Sequence, residues 1–351
     1  MTKFRRTLTG AAALAAGLLG SNAAFAQAEG ATVAFLMPDQ GSTRYEEHDW
    51  PGFQAAMGEL CPTCTLIYQN ATADVALQQQ QFNSVIAQGA KVVVLDPVDS
   101  TAAASLVQQA QSQGVFVIAY DRPIPDASAD FYVSFDNEGI GYAIAKSLVD
   151  KLQADGVPEG SSVLQINGSP TDAAAGLIRD GVDRALDESG YETVAEFDTP
   201  DWQPPEAQQW ASGQITRFGE EIVGVAAAND GTAGGAIAAF KAAGVDPVPP
   251  VSGNDATTAA LQLIIAGDQY NTISKPSEIV ARAAAEVAVA LLNGETPEAT
   301  HTLYDTPSRL FVPTVVTAEN IKAEVFDTGV TPVADVCTAE YSEACAAMGI
   351  Q

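Results

Sequence analysis

Histidine is nearly absent from this chain of 351 residues: His48 and His301 are the only two. They stand too far apart for the H-E-x-x-H zinc motif, and no G-x-S-x-G, G-x-x-x-x-G-K-[ST] or G-x-G-x-x-G occurs. The zinc-protease, serine-hydrolase, P-loop and dinucleotide signatures are therefore missing. Basic residues are scarce as well. Lys and Arg number 16 against 44 Asp and Glu, a net charge of −28, and such a surface repels nucleic acid and anionic lipid alike. Acidity of this kind serves solubility. No motif for a bound cation accompanies it, so neither metal nor cofactor is expected. After the first 26 residues no apolar run approaches the roughly 20 residues that a bilayer span needs.

What is present begins with an address. Lys3, Arg5 and Arg6 form a basic segment, Ala11 to Gly20 an apolar stretch too short to span, and Ala24-Phe25-Ala26 a small-x-small cleavage pattern. Residues 1–26 are therefore expected to be a signal peptide, with a mature start near Gln27 and a net charge that moves from −28 to −31 with the three lost cations. No cysteine marks the cleavage point, which favours a soluble periplasmic protein over a lipid-tethered one. Four cysteines remain, Cys61, Cys64, Cys337 and Cys345. The C-x-x-C could serve redox chemistry or half a zinc site, but it precedes the strand-like Thr65 to Gln69 rather than opening a helix, and the second pair has the wrong spacing for zinc. Two local disulfides suit an oxidising compartment better.

The remaining 325 residues suit two lobes. Short β-branched runs alternate with longer amphipathic stretches. Strands are expected at Thr32 to Met37, Thr65 to Gln69, Val92 to Leu95, Val115 to Tyr120, Val163 to Ile166, Val194 to Phe197, Ile222 to Ala227 and Pro249 to Ser252. Helices are expected at Val75 to Ala87, Ala102 to Gln113, Ile140 to Leu152, Ala174 to Glu188, Pro205 to Phe218 and Ala233 to Ala243. Gly89, Gly114, Gly190 and Gly244 stand where left-handed C-caps end such helices. The pattern predicts parallel sheets with helices on both faces. It is interrupted near Phe135-Asp136-Asn137 and near Ser252-Gly253-Asn254-Asp255, the expected crossings between lobes.

In open parallel sheets ligands sit at the carboxyl ends of strands. Asp121 and Arg122, Asp136 and Asn137, Asn229 and Asp230, Asn254 and Asp255, and Lys275 all follow strands. Helix capping explains an Asp or Asn in such places, but not the Arg or the Lys. Carboxylates, amides and cations together suit a polyol, whose hydroxyls both donate and accept, while Tyr45, Trp50 and Trp202 offer rings for its C–H faces. Paired carboxylates of a secreted glycosidase or other hydrolase stay open, because their separation is a three-dimensional fact. The Asn and Arg beside each Asp fit binding better than acid catalysis, so no catalytic residue is expected.

Ala119-Tyr120-Asp121-Arg122, Ser134-Phe135-Asp136-Asn137-Glu138, Gly168-Ser169-Pro170-Thr171-Asp172, Asn229-Asp230-Gly231-Thr232-Ala233-Gly234-Gly235-Ala236-Ile237, Ser252-Gly253-Asn254-Asp255-Ala256, Lys275-Pro276 and Pro307-Ser308-Arg309-Leu310 follow in that order. Together they resemble the xylose-binding proteins of bacterial ABC sugar importers, over about residues 33–316. The resemblance implies the type I periplasmic binding fold, two doubly wound Rossmann-like α/β lobes joined by three hinge crossings. On that analogy residues 27–135 and 254–305 form one lobe, and 136–253 and 306–351 the other. It implies a ligand site of Arg44, Tyr45, Asp121, Arg122, Asp172, Trp202, Asn229, Asp255 and Lys275. One departure concerns Ala173 and Ala174, where that family usually carries two Asn. The implied function is periplasmic capture of xylose or a related monosaccharide and delivery to an inner-membrane ABC permease. A sensor that presents the sugar, or an autoinducer, to a chemoreceptor or histidine kinase is the same-fold alternative.

Overall fold

The computed structural model describes residues 30–42, 44–329 and 331–351. The expected signal peptide lies outside the described residues. In chain order the elements are β1 (Thr32–Met37), α1 (Trp50–Leu60), β2 (Thr65–Asn70), α2 (Val75–Ala87), β3 (Ala90–Leu95), α3 (Ala103–Ser112), β4 (Phe116–Tyr120), β5 (Phe131–Phe135), α4 (Asn137–Ala154), β6 (Ser162–Asn167), α5 (Ala173–Ser189) and β7 (Glu192–Asp198). The second half adds α6 (Pro204–Phe218), β8 (Ile222–Ala227), α7 (Asp230–Ala242), α8 (Thr258–Ala266), β9 (Asn271–Ser274), α9 (Ser277–Leu292), β10 (His301–Leu303), β11 (Thr306–Phe311), β12 (Thr314–Thr317), α10 (Val333–Val336) and α11 (Ser342–Ala347).

The first lobe is a seven-stranded sheet in the order β10-β11-β5-β4-β3-β1-β2, parallel except for β10. Its central strands, β1, β3, β4 and β5, are buried on both faces. In β1, Val33, Phe35 and Met37 point into the core with Phe53 and Val280 of α1 and α9, and Ala34 and Leu36 into the core with Phe82 and Leu106 of α2 and α3. That two-sided burial explains why β1 reads as a continuous apolar run rather than an alternating one. The second lobe is built on β7-β6-β8, parallel, extended by the single bridge Val225 to Val251. Tyr270 N–H then donates to the Val251 carbonyl at 2.9 Å, and β9 pairs antiparallel with β12. The family of helices α4 and α5 covers one face and α6 and α7 the other. A separate apolar cluster, with Leu261, Ile264, Val316, Ile321, Val336 and Cys345, holds the C-terminal segments against α8.

The strand pairing corrects two of the expected lobe boundaries. Residues 254–274 were expected in the first lobe, yet β9 pairs with β12 and α8 packs in the second. Residues 306–311 were expected in the second lobe, yet β11 pairs parallel with β5, Ser308 opposite Tyr132 through Phe311 opposite Phe135. The chain crosses between lobes after Phe135, around Lys275 and between Phe311 and Thr314. Four-to-six-residue β runs look alike in either sheet; the partner strand, not local propensity, decides where they belong.

Local chemistry explains the element ends. Gly89, Gly114, Gly190 and Gly244 have φ of 90°, 70°, 78° and 77°, the left-handed caps their positions called for. Asp74, Asp136, Asp172 and Asn229 cap α2, α4, α5 and α7 through side-chain oxygens. Both expected disulfides are formed, Cys61–Cys64 and Cys337–Cys345. Helices α4 and α5 touch backbone to backbone: a Cβ on Gly181 would lie 2.1 Å from the Glu138 carbonyl oxygen, and one on Gly141 1.9 Å from that of Ile178.

Candidate ligand-binding cleft

All nine residues expected at the site, Arg44, Tyr45, Asp121, Arg122, Asp172, Trp202, Asn229, Asp255 and Lys275, line one cleft of about 380 Å³. They arrive from both lobes by the same device, the loop that leaves a strand at its carboxyl end. Arg44 and Tyr45 lie beyond β1, Asp121 and Arg122 directly after β4, Asp172 after β6, Trp202 after β7, Asn229 after β8 and Lys275 after β9. The two lobes also meet across the cleft. Ser100 N–H donates to the Thr171 carbonyl at 3.0 Å, and Ala173 N–H donates to Ser100 Oγ at 3.1 Å; the lobes are closed on one another.

Three cations organise the polar wall. The Arg44 guanidinium donates to both oxygens of Asp49, at 2.9 and 2.7 Å, and to Asp121 Oδ1 at 3.1 Å. Arg122 donates to Asp39 Oδ2 at 2.6 Å and to the Pro97 carbonyl at 3.2 Å, and its Nε lies 3.2 Å from Asp172 Oδ2 and 3.5 Å from Asp96 Oδ1. Lys275 Nζ is 2.9 Å from Asp255 Oδ1. Burial alone would push the Asp121 carboxyl up, but Arg44, Lys275, Arg122 and the Tyr45 hydroxyl together bring it down to about 2. Asp172 and Asp96 go the other way: burial outweighs the pull of Arg122 and raises both. Each cation is thus already neutralised, and the wall presents fixed dipoles and shared charges rather than a lone ion. That is chemistry for hydroxyls.

The backbone at the cleft is strained where these side chains enter. Asp121, Trp202, Asp255 and Ala256 have φ of 56°, 57°, 108° and 49°, left-handed values that non-glycine residues avoid. Neighbouring bonds impose them. Arg122 N–H donates back to the Tyr120 carbonyl at 2.6 Å, a γ-turn at Asp121, while Tyr132 and Ser134 hydroxyls clamp the Asp121 carbonyl at 2.7 and 2.9 Å. Asp255 and Ala256 N–H groups donate to the Ile273 carbonyl and Thr272 Oγ1, both at 3.1 Å. Trp202 donates from Nε1 to Asp172 Oδ2 at 3.0 Å. Its ring lies where a side chain on residue 168 would stand: a Cβ on Gly168 would be 2.1 Å from it.

Trp50, expected as a further platform, does not line the cleft. It stacks on Tyr68 at 4.9 Å and on Phe53 at 6.4 Å, held there by the apolar side of α1. Five cleft residues escaped the expected set: Ser42, Asn137, Ala174, Ile178 and Asn254. Asn137 and Asn254 stood in the strand-end clusters and were recoverable by the same rule. Asn254 Oδ1 is buried and has no hydrogen-bond partner among the described residues. The supporting carboxylates Asp39 and Asp96 also follow strands, β1 and β3; only Arg122 in three dimensions shows what they serve.

Fold and cleft define a two-lobed α/β solute-binding protein that encloses a small, hydroxyl-rich ligand. The chain belongs to the periplasmic binding protein domain family, whose pattern matches residues 33–296. A D-xylose-binding periplasmic protein of Escherichia coli (strain K12) is 39% identical over 269 residues, 74% of this chain and 80% of that one. The multiple sugar-binding periplasmic receptor ChvE of Rhizobium radiobacter is 29% identical over 349 residues, 92% of this chain and 96% of its own length. Among solved structures, an ABC transporter solute-binding protein from Clostridium phytofermentans with bound β-D-glucose superposes with a TM-score of 0.80 at 25% identity, over 87% of this chain and 99% of that one.

Proposed function

We propose that this protein is the substrate-binding component of an ABC importer, exported to the periplasm by residues 1–26, and that it captures xylose or a related monosaccharide in the interlobe cleft. The observation that carries the reading is the convergence of Arg44, Asp121, Arg122, Asp172, Asn229, Asp255 and Lys275 from two lobes on one cleft. The Asp121 and Asp255 carboxylates accept from hydroxyls, the Asn229 amide donates to them, Arg44, Arg122 and Lys275 donate charge-assisted bonds, and Trp202 covers a C–H face. The sugar favours the closed state because only there do contacts from both lobes act at once. The closed surface then docks on a permease, with no bond made or broken in the cargo.

Calorimetric titration of ligand-free protein with D-xylose, L-arabinose, D-ribose, D-glucose and D-galactose tests the reading. Saturable heat from at least one supports it; none from any of them sinks it. The likeness to a multiple sugar-binding receptor over 92% of this chain supports a second reading, presentation of the sugar to a membrane sensor. Deleting the permease separates the two, since sensing survives that deletion and import does not.

A further inference from the structure

The cleft is polar on most sides but not along α5. Ala174 and Ile178, one turn apart on the same face of that helix, both line it and are both buried. A helix N-terminus ordinarily offers free N–H groups to a ligand. Here they are used: Ala173 N–H donates to Ser100 Oγ at 3.1 Å, Ala174 N–H to Asp172 Oδ1 at 2.8 Å and Ala175 N–H to the Asp172 carbonyl at 3.1 Å. Next to them Trp202 has given its own N–H to Asp172. The wall therefore holds a methyl, a sec-butyl group and a ring, with no free donor.

A hydroxyl turned toward this wall gives up its water and meets no donor on Ala174, Ile178 or the Trp202 ring, whereas a methyl or hydrogen there is buried at a gain. Resting on the sugar-binding reading above, we infer that the preferred ligand is a deoxy sugar of the 6-deoxyhexose class, with its deoxy carbon against Ala174 and Ile178. The remaining hydroxyls meet the Arg44, Asp121, Arg122 and Lys275 side.

The test is calorimetry on three matched pairs: D-fucose with D-galactose, L-rhamnose with L-mannose, and 6-deoxy-D-glucose with D-glucose, alongside D-xylose. At least one deoxy member should bind roughly tenfold or more tighter than its parent, the size expected for one group in an apolar pocket. Ala174→Asn, which adds a donor, should erase or reverse that ratio; Ile178→Thr should do the same more weakly if Ala174→Asn does not fold. Parents that bind as well as their deoxy partners in every pair, or binding confined to pentoses, overturn the inference and leave sugar binding standing. Silence from all seven sugars and from L-arabinose and D-ribose overturns both.

Discussion

Asp230 shows how a single carboxyl can set the shape of the cleft without lining it. It accepts from Thr257 N–H at 2.8 Å, Gln269 Nε2 at 3.0 Å and Thr272 Oγ1 at 2.7 Å, and so straps the strained Asp255–Ala256 turn to β9. Burial and the nearby Asp255 charge nevertheless push its carboxyl up to about 7. The folded state then holds a proton that the unfolded chain, near 4, releases, so this group favours folding below pH ~4 and that contribution is lost as pH rises to about 7. Urea unfolding across that range should show the decline, and Asp230→Asn should flatten it. Asp121 has the opposite sign. Held down at about 2, it stabilises the fold above pH ~4 and ceases to do so as pH falls through 2.

At the scale of elements, the contact of α4 with α5 positions the apolar wall. With 2.1 Å between a Cβ on Gly181 and the Glu138 carbonyl oxygen, Gly181→Ala must push the helices apart. A loss of roughly 1–3 kcal/mol is expected, as for overpacked cores, read as a lower urea midpoint together with weaker sugar binding. The Cys337–Cys345 bridge spans 8 positions beside the α8 cluster, and neither cysteine lines the cleft. Chain entropy for a loop of that size is worth roughly 2–3 kcal/mol, so the Cys337→Ser, Cys345→Ser double variant should unfold earlier while its sugar affinity holds. Elements with strong local signals were legible: β1, α2 and β8 run over the residues their patterns predict. Helices α1, α8 and α9 and strands β10 to β12 were not assigned from sequence. Strands β10 to β12 have no clear alternation, and packing against the other elements supplies the order that propensity does not, whereas the Ala-rich α9 carries a helical signal of its own.

For the molecule as a whole, closure depends on few direct contacts between lobes. Ser100 is one of them, its hydroxyl receiving the Ala173 N–H at 3.1 Å. Ser100→Ala removes that bond only from the closed state, and a neutral hydrogen bond of about 1 kcal/mol corresponds to a roughly fivefold weaker sugar affinity with the cleft residues untouched. Small-angle scattering should show a smaller radius of gyration with saturating sugar in the unaltered protein, and an incomplete change at the same sugar concentration in the variant.

The amino-acid order by itself determined the α/β alternation, the strand-end polar residues and the cysteine pairs, since each follows from local spacing: period, capping and neighbouring thiols. Only the tertiary structure decided which lobe holds 254–274 and 306–311, because strand partners are chosen by neighbours distant in sequence. It also moved Trp50 into an aromatic stack and revealed the donor-free wall of Ala174 and Ile178. A side chain's neighbours are set by how helices and sheets pack, and the cleft exists only where two sheets turn their carboxyl ends toward each other.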